Sequence, residues 1–376
     1  MKSNYKRIGD YIRVVDERNT DLRVENLLGL SITKEFVPSV ANTVGTDMSK
    51  YKIVKKNQFV CSTMQVRRDK KMPVALLQHV DEGVISPAYY VFEVIDEDIL
   101  LPEYLMMWFS REEFDREACF YAIGGVRGSL EWEDFCNMKL PIPSIEKQLE
   151  IVKEYNTILS RIELNEQMIS KLESLIQLIY QSMFKCEKYD EEYLGKYIET
   201  NPKISLKKGA ITKHIEMSQL RVNSMVIDGY EEREFNGGSK FNQLDTLLAR
   251  ITPCLENGKT AFVNCLNNDE IGTGSTEFIV MRAKKDISPY WVYCVARDKE
   301  FRRYAISSMV GSSGRQRVHE DYLKIYKLKK VDVESMKKFH DRVEGLFKFI
   351  KIKSLEIDKL YDIREILLAR IAFMEE

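Results

Sequence analysis

The sequence lacks any apolar segment long enough to cross a membrane. Its longest apolar runs, such as YLMMWF at 104–109, fall far short of the roughly 20 residues that a spanning helix needs. The first residues, MKSNYKRIGDYIRVV, also lack the apolar core of a secretory signal. We therefore expect a protein that does not associate with membranes and that is located in the cytoplasm.

Cysteine and histidine do not occur in the spacings of a metal site. The seven cysteines are odd in number, scattered and never in C-x-x-C spacing, and the four histidines show no ligand spacing with them. This pattern is typical of a reduced protein, and we expect no metal ion in the chain.

The sequence also lacks the common catalytic motifs. It contains no P-loop, and GTGSTE at 272–277 lacks the third glycine and the strand–turn–helix context of a dinucleotide site. GSSG at 311–314 is not the G-x-S-x-G turn of a hydrolase, and no pair of carboxylates stands out. We expect a chain that binds rather than one that catalyses a reaction.

One pattern occurs twice in the chain. GGVRGSLEWEDF at 124–135 is similar to GSSGRQRVHEDY at 311–322, and the two stretches are 187 positions apart. At nearly the same offset Pro102 matches Pro289, each placed to open an aromatic-rich helix. Several matches in order at a nearly constant offset indicate two copies of one unit of about 188 residues.

The same offset aligns a turn and strand of the first half with those of the second. KKNQFVCSTMQVRR begins at residue 55, and at an offset of 188 its Asn57 and Ser62 stand opposite Asp245 and Arg250. The side chains at these places differ, so we expect the contacts that the two halves make there to differ.

Each copy ends in a segment with apolar residues at alternating steps of three and four, the heptad pattern of packed helices. One such helix alone is typical of an ordinary core helix, but two matched ones favour a paired spacer. The predicted domains are 1–143 (globular), 144–186 (helix), 187–331 (globular) and 332–376 (helix). The predicted seam residues, with polar Asn165 and Lys353 at matched positions, are Ile151, Ile158, Ile162, Asn165, Ile169, Leu172, Ile176, Val343, Leu346, Ile350, Lys353, Ile357 and Leu360.

The chain has almost no net charge, with 57 Lys and Arg against 58 Asp and Glu. Nucleic-acid binding would therefore depend on local basic segments, and such segments occur at matched places in both halves. A solvated loop with no partner is the alternative for any one of them. Arginine, lysine and glutamine supply phosphate and base-edge contacts. The predicted DNA-binding residues are Gln65, Arg67, Arg68, Lys70, Arg127, Arg250, Lys259, Arg315, Gln316 and Arg317.

Four longer stretches together resemble one known family. They are LDTLLARITPCLENGKTAFV at 244–263, GSTEFIVMR at 274–282, GSSGRQRV at 311–318 and GGVRGSLEWEDFCNMKLPIPSIEKQLEIV at 124–152. These stretches are similar to the landmarks of the DNA-specificity subunits of type I restriction-modification systems, and the resemblance covers essentially the full length.

The resemblance implies an α+β fold in which two similar α/β target-recognition domains are separated by two long helices. The helices would pack as an antiparallel coiled coil with pseudo-twofold symmetry. Each domain would read one half of a bipartite double-stranded DNA target, and the helices would dock two methyltransferase (modification) subunits. Those subunits would bring S-adenosylmethionine, and a restriction (translocase) subunit that uses ATP and Mg would be a further partner. The chain itself would be non-catalytic, without a cofactor.

Two other functions are compatible with parts of the sequence. A fused DNA adenine methyltransferase should contain an (N/D)-P-P-(Y/F) segment, whereas the chain's only Asn-Pro, at 201–202, continues as Lys-Ile. A coiled-coil scaffold with no DNA role would leave the basic loops solvated, and it should show no preference for a bipartite DNA sequence.

Overall fold

The computed structural model describes residues 5–39, 46–64, 66–122, 128–185, 190–312 and 314–373. The chain divides into two compact units. The first ends at Arg161 and resumes at Lys359, and the second is Ile162–Asp358. Each unit therefore contains one globular domain together with parts of the two longest helices.

The described residues of the first domain form ten strands and four helices. The strands are β1 (Tyr5–Arg7), β2 (Ile12–Val15), β3 (Leu28–Leu30), β4 (Phe36–Pro38), β5 (Lys52–Lys55), β6 (Phe59–Cys61), β7 (Val74–Leu76), β8 (Glu82–Ile85), β9 (Tyr90–Val94) and β10 (Lys139–Pro141). The helices are α1 (Val66–Asp69), α2 (Pro102–Phe109), α3 (Glu112–Tyr121) and α4 (Trp132–Asn137). The first long helix, α5 (Ile145–Phe184), follows them.

The described residues of the second domain form a similar succession. The strands are β11 (Glu191–Tyr193), β12 (Ile198–Thr200), β13 (Ile211–Ile215), β14 (Glu231–Glu234), β15 (Ser239–Phe241), β16 (Thr246–Ala249), β17 (Thr260–Phe262), β18 (Gly272–Gly274), β19 (Phe278–Ala283) and β20 (Lys327–Lys329). The helices are α6 (Pro289–Arg297), α7 (Lys299–Ser307) and α8 (Glu320–Lys324). The second long helix, α9 (Val333–Ile371), follows them.

The two domains share the order of their main sheets. The first has the antiparallel order β2-β9-β6-β7, with β1 paired to β10, and the second has β12-β19-β16-β17, with β11 paired to β20. The helices α2 and α6 both begin at the prolines that the repeat aligns. The predicted internal repeat is therefore confirmed. The remaining strands differ, since the first domain has the pairs β3-β4 and β5-β8 and the second has the sheet β14-β13-β18-β15.

The strand register corrects the alignment of the two halves at β6. Phe59, the first residue of β6, pairs with Phe92, and Thr246, the first residue of β16, pairs with Met281. Phe59 is therefore the equivalent of Thr246, and the offset at this strand is 187. The prediction that Asn57 and Ser62 are the equivalents of the acid and the arginine in the second half is therefore wrong. The equivalents lie one residue later.

The turn that precedes this strand is held in the same way in both domains. In the first, Gln58 Oε1 accepts a hydrogen bond from Lys55 N at 2.8 Å. In the second, Asp245 Oδ2 accepts one from Asn242 N at 2.7 Å. Asp245 is buried and also binds the Arg282 guanidinium through both oxygens, at 2.8 and 2.6 Å. This pairing raises the pKa of Arg282.

Each domain has its own apolar core. In the first, Phe59 and Phe92 of adjacent strands stack with ring centroids 4.9 Å apart, and they contact a cluster of other buried rings. In the second, buried Leu247 and Val280 pack between the β-sheets with aromatic neighbours. The strands are short, so packing of this kind rather than long hydrogen-bonded ladders stabilises the sheets.

The two long helices pack antiparallel within each unit. In the first unit, Ile151 near the start of α5 shares a core with Leu367 near the end of α9. In the second unit, Phe184 at the end of α5 contacts Phe339 near the start of α9, with ring centroids 5.4 Å apart. The predicted helix pair is therefore confirmed. The whole of α5 lacks proline and glycine, and Asp332 Oδ1 caps α9 by accepting from Ser335 N at 2.8 Å.

All thirteen predicted seam residues are at least half-buried. The fully buried ones are Ile151, Ile162, Asn165, Ile169, Ile176, Val343, Ile350 and Ile357. The half-buried ones are Ile158, Leu172, Leu346, Lys353 and Leu360. Among the described residues, Asn165 Nδ2 is buried without a hydrogen-bond partner, while Lys353 binds Glu356 at 2.7 Å.

A buried carboxyl group joins α5 to the second domain within the second unit. Glu173 is buried, and its Oε1 accepts hydrogen bonds from Met225 N at 2.6 Å and from the Ser224 hydroxyl at 2.9 Å. Burial raises the pKa of Glu173 above its ordinary value of 4.5. The heptad pattern gives no signal for this contact, because Glu173 lies beside the seam and not in it.

Substitution of Glu173 by glutamine should make stability less sensitive to pH. A carboxyl group whose pKa is higher in the folded protein favours folding at low pH, and it loses that contribution as pH rises through the folded value. Glutamine keeps an oxygen for both hydrogen bonds and does not ionise. We expect Glu173→Gln to gain stability relative to wild type between pH 4.5 and 8, measured by urea unfolding. A difference that stays constant over this range would contradict the assignment.

Candidate nucleic-acid interface

In the second domain, the described residues of the glycine-rich loop, 310–312 and 314–318, form a hairpin held against the strand that precedes Arg250. Val310 and Arg317 exchange two backbone hydrogen bonds of 2.9 Å, and Val318 N donates to Arg250 O at 2.9 Å. Gly314 has φ +80°, a conformation that favours glycine. These bonds bring two segments 60 residues apart in sequence into contact, and both carry predicted DNA-binding residues.

One carboxylate, that of Glu277, pairs with Arg317 and is also affected by the charge of Arg250. Glu277 accepts from Arg317 Nη2 at 2.6 Å and from Arg317 Nε at 2.9 and 3.0 Å. Arg317 holds the pKa of Glu277 below its usual range, and the charge of Arg250 adds to this effect. Arg250 N donates to Glu277 O at 3.0 Å, and within the described residues Arg250 Nε is buried without a hydrogen-bond partner. The predicted Arg250 and Arg317 therefore belong to one charged triad.

The other predicted residues of the second domain differ in accessibility. Arg315 is exposed and Gln316 is half-buried, both on the same hairpin. Lys259 lies in the turn after Gly258, where its Nζ donates to Met217 O at 2.8 Å. This contact holds the ammonium group against the domain, so Lys259 is less available for a phosphate than Arg315 is.

In the first domain, the predicted Arg67 and Arg68 lie on α1, and Lys70 follows its last residue. Arg67 is exposed, and its backbone N donates to Gly128 O at 3.3 Å. Arg68 binds Asp69 at 2.6 and 3.0 Å, and Lys70 is exposed with φ +52°. The predicted Gln65 and Arg127 lie outside the described residues.

The connection between basic segment and glycine loop is the same in both domains. Leu130 N donates to Thr63 O at 2.9 Å in the first, as Val318 N donates to Arg250 O in the second. The described residues of the repeated pattern, from 128 in the first domain and from 314 in the second, thus lie at one structural position in the repeat. Thr63 stands where the second domain has Arg250.

Glu277 is a residue that the sequence reasoning did not single out. Neither the rejected nucleotide motif GTGSTE at 272–277 nor the family stretch GSTEFIVMR at 274–282 assigns a role to Glu277. The signal lay in the strand pairing: β19 begins one residue later and pairs with β16, which ends just before Arg250. An acid immediately before β19 must therefore lie beside that arginine.

Among the described residues, no group of three or more His, Cys, Asp or Glu side chains could hold a metal ion. The same part of the chain has no helix with the length and apolar character needed to cross a membrane. Its six cysteines are free thiols.

Residues 31–174 match the model of a family described as the type I restriction modification DNA specificity domain. A curated relative, the specificity subunit of the type I restriction enzyme EcoAI from Escherichia coli, is 32% identical over 133 residues. The match covers 33% of this chain and 22% of that protein, so it spans less than a quarter of the relative's length.

Two solved structures align with the chain over nearly its full length. The S subunit of the type I restriction-modification system from M. genitalium has a TM-score of 0.59 at 12% identity, covering 99% of this chain and 96% of that one. The HsdS subunit from Thermoanaerobacter tengcongensis has a TM-score of 0.37 at 13% identity, covering 98% and 96%.

The first of these likenesses defines the class of fold: two similar domains and two long helices, as in a type I S subunit. Within the chain, residues 31–174 match the model of the type I restriction modification DNA specificity domain. The family resemblance seen in the sequence is thereby confirmed.

Proposed function

We propose that the chain is the DNA-specificity subunit of a type I restriction-modification complex. Each domain reads one half of a bipartite double-stranded DNA target. The observation that carries this proposal is the repeated connection between a basic segment and a glycine loop, formed by Val318 and Arg250 in one domain and by Leu130 and Thr63 in the other. Two equivalent basic sites on a chain of net charge −1 suit two half-sites of a duplex.

The ten predicted residues named above form the proposed DNA-binding set, and they do not contribute equally. Arg67, Lys70 and Arg315 are exposed and positively charged, which suits contacts to phosphates or to base edges in the major groove. The glycines of the loops let the backbone approach a phosphate closely. Lys259 supports the turn more than it meets the DNA, because Met217 O already accepts from its ammonium group.

The long helices are proposed to dock two methyltransferase subunits. Exposed apolar side chains support this: Leu164, Met168, Leu175 and Leu178 follow one another along α5 at helical spacing and are 40–62% exposed. The methyltransferase subunits would bind S-adenosylmethionine, and a recruited restriction subunit would use ATP and Mg. The proposal assigns no catalytic step to this chain.

Replacing Arg67 or Arg315 with alanine tests the two DNA sites separately. Each change should weaken binding to the bipartite target by about 1–3 kcal/mol if the arginine reads a base. The loss should fall on a different half-site for each variant. The measurement is a gel-shift titration, at several salt concentrations, of the full chain with its methyltransferase subunits.

Arg303→Ala is the matched control, since it removes an exposed arginine of α7 outside the proposed set. If the affinity and the salt dependence of Arg67→Ala and Arg315→Ala equal those of this control, the loop assignment is wrong. Wild-type protein without preference for any bipartite DNA would instead indicate a scaffold, and methyl transfer by the chain alone would indicate a fused methyltransferase.

A further inference from the structure

The triad of Arg250, Glu277 and Arg317 places a negative charge inside a site otherwise suited to DNA. Glu277 is partly exposed, with 26% of its side chain accessible, so the ion pair between Glu277 and Arg317 is not part of the core. Surface ion pairs contribute little to stability. A carboxylate beside a polyanion also weakens attraction to every phosphate in reach. Stability and general DNA affinity therefore do not account for Glu277.

The triad belongs to the second domain and not to the repeat. The repeated strand pairing and the repeated loop connection place Thr63, Ala88 and Ser129 of the first domain at the three equivalent positions. None of these three side chains is charged, although the strand pairing and the loop connection correspond. The two domains thus differ in charge at one shared structural position, where two half-sites of different sequence would have to be told apart.

The contacts of Glu277 determine which edge of Arg317 remains available. The carboxylate binds the edge formed by Nε and Nη2. On the other side, Nη1 has a long contact of 3.4 Å to Arg315 O. The Nη1–Nη2 end is the part of the fork that can address two acceptors at once, such as the O6 and N7 of a guanine. A guanidinium held in this way loses little rotational freedom when it meets a base.

We propose that Glu277 is a specificity-determining residue of the second domain, which holds Arg317 for a base edge and weakens its attraction to phosphates of unrelated sequence. The proposal rests on the DNA-specificity function proposed above. Its physical basis is that specificity is a difference between two affinities, so a group that lowers binding to wrong sequences raises selectivity. Arg250, whose backbone N donates to Glu277 O and whose Nε is buried, adds its positive charge beside the same carboxylate.

Glu277→Gln and Arg317→Gln should have opposite effects on random DNA and the same effect on selectivity. Releasing Arg317 from Glu277 should raise affinity for random duplex about fivefold at low salt and steepen the log–log salt dependence by about one unit. Removing Arg317 should lower that affinity. Both changes should reduce discrimination at one half-site about tenfold, because a positioned arginine–base contact is lost. The other half-site should be read as in wild type.

The experiment uses the full chain with its methyltransferase subunits, the bipartite target, targets altered in one half, and random duplex. Glu270→Gln is the control, since Glu270 also pairs with a cation, Lys213, and has the same 26% side-chain exposure. If Glu277→Gln behaves as Glu270→Gln does while wild type still selects its target, the inference is overturned and the proposed function stands. If wild type selects no bipartite target, the proposed function itself fails.

Discussion

Replacing Ile169 with aspartate should lower the free energy of unfolding by about 3–5 kcal/mol, the usual effect of an uncompensated buried charge. Ile169 is 4% exposed in the seam between the two long helices of the second unit. Burial opposes the ionisation of an aspartate at this position. Urea or thermal unfolding followed by circular dichroism measures the loss, and binding of the methyltransferase should fall with it.

Leu164→Asp provides the control on the same helix. Leu164 is 59% exposed, so the same change of residue type should alter the unfolding free energy by no more than about 0.5 kcal/mol. Equal effects of the two substitutions on stability would show that Ile169 does not lie in a buried seam. A loss of partner binding by Leu164→Asp at unchanged stability would support the exposed stripe of α5 as the docking face.

Asp245→Ala should destabilise the second unit by about 2–3 kcal/mol, since it leaves the Arg282 guanidinium and the Asn242 amide without their acceptor. Because Arg282 keeps 27% of its side-chain exposure, water offsets part of the cost. Asp228→Ala is the matched control: Asp228 also binds an arginine, but at 46% exposure. Its removal should change stability by less than about 1 kcal/mol. Similar losses for both variants would contradict a special role of the buried pair.

The sequence predicted the larger features because they repeat. The heptad pattern along α5, a helix of 40 residues, and the aligned prolines at the starts of α2 and α6 are local sequence patterns. Such patterns largely determine by themselves where a helix forms. The antiparallel pairing of the helices came from the family resemblance. The contacts at the start and the end of α5 confirm it.

Details that depend on strand register were harder to predict from the sequence. The error at Asn57 and Ser62 arose because a constant offset was applied across a repeat whose loops differ in length. Glu277 and Glu173 were missed for a related reason: their partners lie 40 and 51 positions away, and nothing in the local pattern marks a carboxylate as a ligand of a distant arginine or backbone amide. Contacts of this kind follow from pairing, which the sequence alone does not display.

The difference between the two domains bears on how a repeated fold recognises an unsymmetrical target. The backbone connection is shared, so both domains would approach the duplex through equivalent edges. Side chains at those edges then need to differ if the half-sites differ, and the triad around Glu277 is such a difference. Redesign of one half-site should accordingly begin at Ala88 and Ser129, where the first domain has small uncharged side chains at the positions of Glu277 and Arg317.

The central claim is that this chain selects the DNA sequence on which a methyltransferase acts. The most direct test is to map methylated adenines across the genome of cells that contain the methyltransferase, with and without this chain. The account predicts methylation only when the chain is present, at one motif of two short defined sequences separated by a fixed number of undefined bases. Unchanged methylation without the chain, or a single uninterrupted motif, would contradict it.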